Sequence, residues 1–508
     1  MMRWWFLWIL ESRALGPVSQ GLPWGARRPS RAAVKMQEYD CLISGGGPAG
    51  LAAGIELSSL GFRTVVVERR GSPEEFVKSK AFHYLIDKRG QRWTDRHGLT
   101  DALRARGVSN SNYTLTRIFP DRSKETVTPP LSSPEGIWIP RSDFLAVLAQ
   151  KAREQPLLDV KCGSRVNSLD FSSSKGCRVC VVDETTGEET IFEDPRLLLG
   201  CDGLESATRK LSKFPEPVEL RSPSAGLNYK ILSVSSRFQV LGEEETVPNL
   251  AYTLPSALKK KSLTTRLGFL PVRPEATERT ANVIRDKDHK IWTFKDEESM
   301  TKFFRDSFPQ VPNATFPEAE LARFAKATPG AFPKPQFAPI VAKNMNTHSS
   351  VFLLGDAAHA FPPDVGQGVN SALEDVLVLG DILKNARSGQ DPLTFDRQVV
   401  AEYQAQRAPA AEAIARIVKY AFPYQYSQAP LRQKFFFAGF LMRLLLSKII
   451  PFCSEPVALG VLKGQPYTQV WRRAQRTTLF YQLLSIFAAT AIYLRFFMMK
   501  KPAFPFLT

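Results

Sequence analysis

Glycine recurs beside a carboxylate or a bare helix start at three widely separated points of this 508-residue chain, and each grouping suits recognition of a phosphate or a polyol. In VFLLGDAAHAFPPDVGQGVN the apolar run Val351 to Leu354 reads as a buried strand ending at Gly355-Asp356. Glycine there permits close backbone approach, and Asp356 can accept hydrogen bonds from a sugar-like chain. Pro362-Pro363 stiffen the connection, and Gly366-Gln367-Gly368-Val369-Asn370 opens a segment of helical spacing. Its unpaired N–H groups and the positive pole of the helix dipole suit a phosphate, or a ring that becomes anionic on reduction. An ordinary strand, turn and helix of an α/β protein would read the same way.

The second grouping lies in YDCLISGGGPAGLAAGIELSSLGFRTVVVERR, a strand, a glycine turn, a helix and a second strand. Gly45, Gly47 and Gly50, with Ala49 inside the fingerprint, satisfy G-x-G-x-x-G: one for the turn, one for pyrophosphate approach, one for helix-on-strand packing. Glu68, followed by Arg69, falls where an acceptor for an adenosine ribose belongs. The fingerprint does not separate NAD from FAD. The third grouping is LLLGCDG, a strand ending in Asp202-Gly203, followed by helical character over Ser206 to Lys210. No second G-x-G-x-x-G occurs, so one dinucleotide is held permanently and any other must visit the same pocket.

The elements that must position these groups follow from hydrophobic patterning. A helix is expected near Gln91 to Ala105, and Ile137 to Glu154 begins as a strand and becomes a helix with Arg141 in its first turn. That arginine can reach a phosphate or ring system, or it is a surface helix-start residue. Val160 to Glu193 reads as strands with a hairpin at DETTGEET. Cys177 and Cys180 form a lone CxxC inside an alternating run, which favours strand residues over a metal site. Short strands and the helical DEESMTKFFRDSF between about 215 and 343 suggest a sheet-rich unit, and Asp396 to Ala421 is a long helix. The expected organisation is a targeting extension over 1–35, a dinucleotide-binding domain in two parts over 36–214 and 344–421, the sheet-rich unit over 215–343, and a C-terminal helical region over 422–508. The fold class is α/β, a Rossmann-type domain with an interleaved sheet-rich domain.

The net charge of +17 is uneven: residues 431–508 carry eleven Lys/Arg against the single acid Glu455. This is also the most apolar part of the chain, which favours an anionic membrane surface over nucleic acid. Thr477 to Leu494 holds eighteen uncharged residues bracketed by Arg472, Arg473, Arg476 and by Arg495, Lys500, Lys501, as a membrane-spanning helix would. Phe435 to Ile450 is interrupted by Arg443 and Lys448 and is expected to pack on the body or lie in the interface. The basic, serine-bearing first 35 residues resemble a mitochondrial or plastid transit peptide, or a weak signal anchor.

The ordered set GGGPAG, GCDG and GDAAHAFPPDVGQGVN resembles the single-component FAD-dependent aromatic hydroxylases from about Met36 to Ala421, and most nearly the kynurenine 3-monooxygenases, which also carry a basic, apolar C-terminal region. The resemblance implies FAD as cofactor, NAD(P)H and oxygen as co-substrates, and transfer of one oxygen atom to a small aromatic or hydrophobic substrate. It implies that Gly45 to Gly50 and Glu68 hold the ADP part, that Arg141 and Asp202-Gly203 border the flavin, that Asp356 after Gly355 takes the ribityl chain, and that Gly366 to Asn370 cover the pyrimidine edge. No side chain stands out as a catalytic base. The family's R-S-I-N-L stretch is replaced by Lys80-Ala81-Phe82-His83-Tyr84, and no carboxylate-binding arginine aligns within Ser109 to Arg117, so an apolar or isoprenoid-linked ring fits as well as an amino acid. Two rivals share parts of the pattern: an isoprenoid-saturating flavin reductase, and a prenyl-protein escort.

Overall fold

The computed structural model describes residues 37–499 apart from 76–82, 110, 112, 129–134, 173–175, 243–244, 347, 387–391 and 427–429. The expected targeting extension and the Lys80-Ala81-Phe82 stretch lie outside the described residues. Four apolar strands, Cys41–Ser44, Thr64–Val67, Leu197–Gly200 and Ser350–Leu353, are buried along their whole length. Continuous burial is the mark of a parallel sheet covered on both faces. They form the centre of a six-stranded sheet in the spatial order Leu158–Lys161, Thr64–Val67, Cys41–Ser44, Leu197–Gly200, Ser350–Leu353, Ala342–Asn344, the last antiparallel. The register places Ser44 beside Val67 and Gly200, and Gly200 beside Leu353. Gly45, Glu68, Asp202 and Asp356 therefore all emerge at one edge, the carboxyl end of the strands, where open α/β sheets bind ligands.

The helix Pro48–Ser59 covers one face, its Ala52, Ile55 and Leu57 buried in the main core beside Leu373 and Val376 of the helix Gly368–Ala386. Between the expected limits of a single helix over 91–105 there are two, Lys88–Arg96 and Thr100–Arg106, separated by Gly98 at φ +67°. A left-handed glycine ends the first helix, and the second starts after it.

A seven-stranded sheet has the order Gly330–Ala331, Asn228–Ser235, Glu278–Arg285, Arg266–Phe269, Ala251–Pro255, Leu115–Ile118, Lys124–Val127. Two of its strands thus come from residues 115–127, well before the sheet-rich stretch begins. Phe303, Phe304, Phe308, Phe316 and Phe324 pack edge-on or tilted against one another on one side of it, forming a second core. Cys180 lies in the strand Arg178–Asp183 with Cys177 just before it, and both are free thiols.

The C-terminal part is helical: Pro392–Ala421, Pro430–Ile449, Val457–Leu462 and Tyr467–Met499. The last helix has two halves. Tyr467, Val470 and Ala474 are buried against Ile414, Ile417 and Val418, whereas Leu479, Leu483, Ile486, Phe487 and Ile492 are exposed. Among the described residues this is the one helix long and apolar enough to cross a membrane, over Tyr467–Arg495. Pro430–Ile449 runs beside it, with Arg443 donating to Ala474 O at 3.2 Å and Thr478 Oγ1 at 2.8 Å, while Phe435, Leu441, Leu445 and Ile449 remain exposed.

Candidate active site

The glycine fingerprint owes its shape to close contacts that no other residue tolerates. Gly45 has φ +100°, and a Cβ on Gly50 would sit 1.8 Å from Gly45 O. At Gly47 a Cβ would meet nothing within 4 Å, and this residue caps Pro48–Ser59 without a side-chain hydrogen bond. A twelve-residue helix thus presents free N–H groups to open space, the setting a pyrophosphate requires. Ala49, in the first turn, is the atom a Cβ on Gly355 would meet at 3.2 Å, with Ala372 at 3.3 Å on the other side. Gly355 is thereby the point where the starts of two helices and the end of a strand converge.

Glu68 is buried, and its carboxylate accepts from Gly46 N at 2.6 Å, Arg70 N at 2.9 Å and Arg70 Nε at 2.8 Å. Burial opposes its charge, but the Arg70 and Gly46 hydrogen bonds outweigh that and hold it below the usual glutamate range. Arg70 is the partner, and the neighbouring Arg69 is exposed. Asp202 Oδ2 accepts from Thr208 N at 2.9 Å, Thr208 Oγ1 at 3.0 Å and Ser44 Oγ at 3.3 Å; its buried Oδ1 has no partner among the described residues. Gly203 follows at φ +82° with open space where a Cβ would stand.

Asp356 stands in a different environment. Its carboxylate has no hydrogen-bond donor among the described residues, and it is exposed at the sheet edge although protein packs densely around it. Burial pushes its carboxyl up, with His359 and Arg141 opposing. Arg141 opens the helix Arg141–Arg153 directly after the strand Ile137–Pro140. The same guanidinium acts on the hydroxyls of Tyr84 and Tyr229. Gly366, at φ +65°, and Gly368 both leave a Cβ position empty within 4 Å. Between them, however, Gln367 turns inward, donating to Asp87 Oδ2 at 2.7 Å, and Asn370 donates to Leu85 O at 2.8 Å. Val369 is buried too. The side chains of this turn are therefore turned into the protein, and its backbone is what remains at the sheet edge.

An unpaired buried acceptor, a free carboxylate and four bare glycine positions, Gly47, Gly203, Gly366 and Gly368, fit a dinucleotide with a polyol arm, because such a ligand brings the hydroxyls, phosphates and flat ring these groups lack partners for.

Sequence reasoning missed the groups behind and beyond this edge. Asp375 accepts from Gly355 N at 2.8 Å and contacts His359 Nε2 at 2.7 Å, and Arg407 pairs with both Asp375 and Glu374. On the side of the seven-stranded sheet, aromatic rings run from Tyr229 to Phe332 at 5.3 Å and on to Tyr426 at 5.6 Å. Arg266 donates to Gln425 O at 2.8 Å, and Gln425 in turn holds Asp364 Oδ1 at 3.2 Å. Burial lifts the Asp364 carboxyl to about 6, and its Oδ2 has no partner among the described residues. Burial and then Arg279 push His83 down to about 4, so it is neutral at pH 7. Arg117, by contrast, is spent on Glu125 at the sheet surface. A cleft of about 270 Å³ bounded by Arg106, Trp138, Asp143 and Arg273 holds none of the expected site residues.

Comparison with known proteins agrees with this geometry. Residues 38–418 match the FAD binding domain family. The chain is 26% identical over 388 residues to a kynurenine 3-monooxygenase of Stenotrophomonas maltophilia, covering 74% of this chain and 77% of that one. It is 23% identical over 381 residues to the 12-dehydrotetracycline 5-monooxygenase/anhydrotetracycline 6-monooxygenase of Streptomyces rimosus, covering 74% and 68%. Among solved structures it resembles PqsL, a probable FAD-dependent monooxygenase from Pseudomonas aeruginosa, with a TM-score of 0.55 at 19% identity over 79% of this chain and 100% of that one. The flavin-dependent monooxygenase PieE gives 0.58 at 18% identity over 87% and 72%. These relatives are monooxygenases, and nothing among them favours the reductase or escort readings. With the family model matched over three quarters of its length and its glycine edge intact, the chain belongs to the FAD binding domain family and is an FAD-dependent monooxygenase.

Proposed function

We propose that this enzyme uses NAD(P)H and oxygen to hydroxylate a small, largely apolar aromatic substrate that reaches it from a membrane. The observation that carries the substrate class is the aromatic wall Tyr229–Phe332–Tyr426, whose Tyr229 feels the charge of Arg141. FAD, when bound, supplies the redox chemistry and the activation of oxygen. The protein's own part is to bind and orient. Gly47 and the start of Pro48–Ser59 take the pyrophosphate, Glu68 the ribose, and Asp356 the ribityl hydroxyls. Gly366 N is spent on Pro363 O at 3.3 Å, so the backbone N–H groups of Gln367 and Gly368, at the start of Gly368–Ala386, would be the ones to stabilise negative charge on a reduced ring. The rings of Tyr229, Phe332 and Tyr426 would exclude water from the reacting centre.

Support for membrane delivery comes from the neighbouring helix: Phe436 contacts Tyr424 at 6.3 Å and Phe440 contacts Phe422 at 6.3 Å, joining the exposed apolar face of Pro430–Ile449 to the segment that carries Gln425 and Tyr426. A substrate screen following stimulated NAD(P)H oxidation, with product masses checked for one added oxygen, tests the reading. Stimulation confined to charged amino acids such as kynurenine would overturn the apolar assignment. Carbonate extraction of the full-length chain, compared with one ending at Gln475, tests the anchor: release of the full-length protein would contradict it.

A further inference from the structure

The buried first turn of the last helix reaches the cofactor edge. Tyr467 is 1% exposed and donates its hydroxyl to Gln367 Oε1 at 2.8 Å. The other end of that amide donates to Asp87 Oδ2 at 2.7 Å, and Asp87 Oδ1 caps the helix Lys88–Arg96 by accepting from Arg89 N at 2.9 Å. The Arg89 guanidinium lies 3.8 Å from the centre of the Tyr467 ring, donates to Gln465 O at 2.7 Å and pairs with Glu374 at 2.6 Å. Glu374 also pairs with Arg407 at 2.9 Å, and Arg407 with Asp375, the residue that holds Gly355 N. Gln367 thus sits between two bare glycines, with its side chain fixed by Tyr467 on one side and Asp87 on the other.

We propose that Tyr467 is a positioning residue for the cofactor: its hydroxyl locks the Gln367 amide and so fixes the backbone of Gly366 to Gly368, making the C-terminal helix and the flavin edge one unit. The proposal rests on the placement of FAD against this turn. Gln367 is 1% exposed, so a lost partner is not replaced by water, and the two flanking glycines let the turn shift within the limits set by Gly366 N on Pro363 O at 3.3 Å and Asn370 Nδ2 on Gly366 O at 3.1 Å. By reciprocity, FAD that selects the ordered turn also favours the docked helix. Loading with cofactor and seating of the C-terminal helix are then linked.

The test uses full-length protein in dodecyl maltoside, with FAD dissociation constants read from flavin fluorescence for wild type, Tyr467→Phe, Gln367→Ala and the double variant. Phenylalanine keeps the ring over Arg89 and removes only the hydroxyl. Each single change is expected to weaken FAD by about 5–20-fold, the effect of one unmet buried hydrogen bond. The double variant is expected to be no worse than Gln367→Ala alone. Losses that multiply in the double variant, or a Tyr467→Phe constant equal to wild type while Gln367→Ala is weakened, overturn the coupling. If neither change matters while Asp356→Ala strips FAD, the placement of the turn is wrong and the proposal falls with it. Hydrogen exchange over residues 465–474 of the wild type gives a measurement free of substitutions: FAD is expected to slow it, and equal exchange with and without FAD also overturns the coupling.

Discussion

Glu68 and Asp356 both follow parallel strands at the same edge of the six-stranded sheet, yet the protein supplies donors to the first and leaves the second to its ligand. Glu68 binds Gly46 and Arg70 and is held below the usual range, against the cost of burial. Asp356 is raised by burial, with only the fields of His359 and Arg141 opposing. The part of the edge assigned to ADP is thus a finished part of the fold. The end assigned to the ribityl chain is completed by the cofactor, so its residues cost stability until FAD arrives.

The glycines give the widest separation of the two ends. Gly50→Ala drives a Cβ into the Gly45 carbonyl at 1.8 Å and is expected to cost about 3 kcal/mol or more, seen as loss of folded apoprotein in thermal unfolding. Gly368→Ala enters open space. It should leave apoprotein melting within about 0.5 kcal/mol of wild type while weakening FAD. Similar melting losses in both would break the comparison.

The carboxylates should differ in sign. Glu68→Ala strands Gly46 N and Arg70, and apoprotein stability should fall by about 1–3 kcal/mol. Asp356→Asn removes an unpaired charge and should raise it. The pH dependence follows. For Glu68, whose folded pKa is depressed, the stabilisation is present at neutral pH and is lost as pH falls through that folded value. For Asp356, whose folded pKa is raised, a cost appears as pH rises from its ordinary 3.8 through the raised value, so the gain from Asp356→Asn should vanish in acid. Denaturant midpoints of the apoproteins from pH 8 down to about pH 2 read both. Gains or losses of one sign for both residues would contradict the account.

Asp364 sharpens the same point. Its pKa of about 6 against an ordinary 3.8 means that the folded state binds the extra proton, so stability falls as pH rises through that window and stays low above it. Asp364→Asn should exceed wild type by about 1–3 kcal/mol above pH 7 and converge with it near pH 4. A constant difference across this range would show that the carboxyl is not buried as described.

Much of the geometry of the glycine edge was legible because its signals are local. A glycine needing positive φ, as at Gly45, Gly355 and Gly366, an acid after an apolar strand, and a helix start without a cap are all written within a few residues. The place of Arg141 at the joint of Ile137–Pro140 and Arg141–Arg153 was legible for the same reason. The charged groups behind the edge were not. Arg89 meets Glu374 across 285 positions and Tyr467 meets Gln367 across 100, and no spacing rule links such distant residues. Gln367 and Asn370 look like ligand-facing polar residues in sequence, but the turn spends their amides on Asp87 and Leu85. Short strands such as Leu115–Ile118 announce themselves by composition but not the sheet they will join, since pairing is decided by tertiary neighbours.

The most direct test is the FAD released on denaturing full-length wild type and Asp356→Ala purified side by side, with the fold of each checked by circular dichroism. Wild type should carry close to one non-covalent FAD per chain. The variant, deprived of a charged acceptor worth about 1.5–3 kcal/mol, should bind about tenfold to a hundredfold more weakly and lose most of its FAD. A folded Asp356→Ala protein that keeps its full complement of FAD would contradict the assignment of this edge as the flavin site.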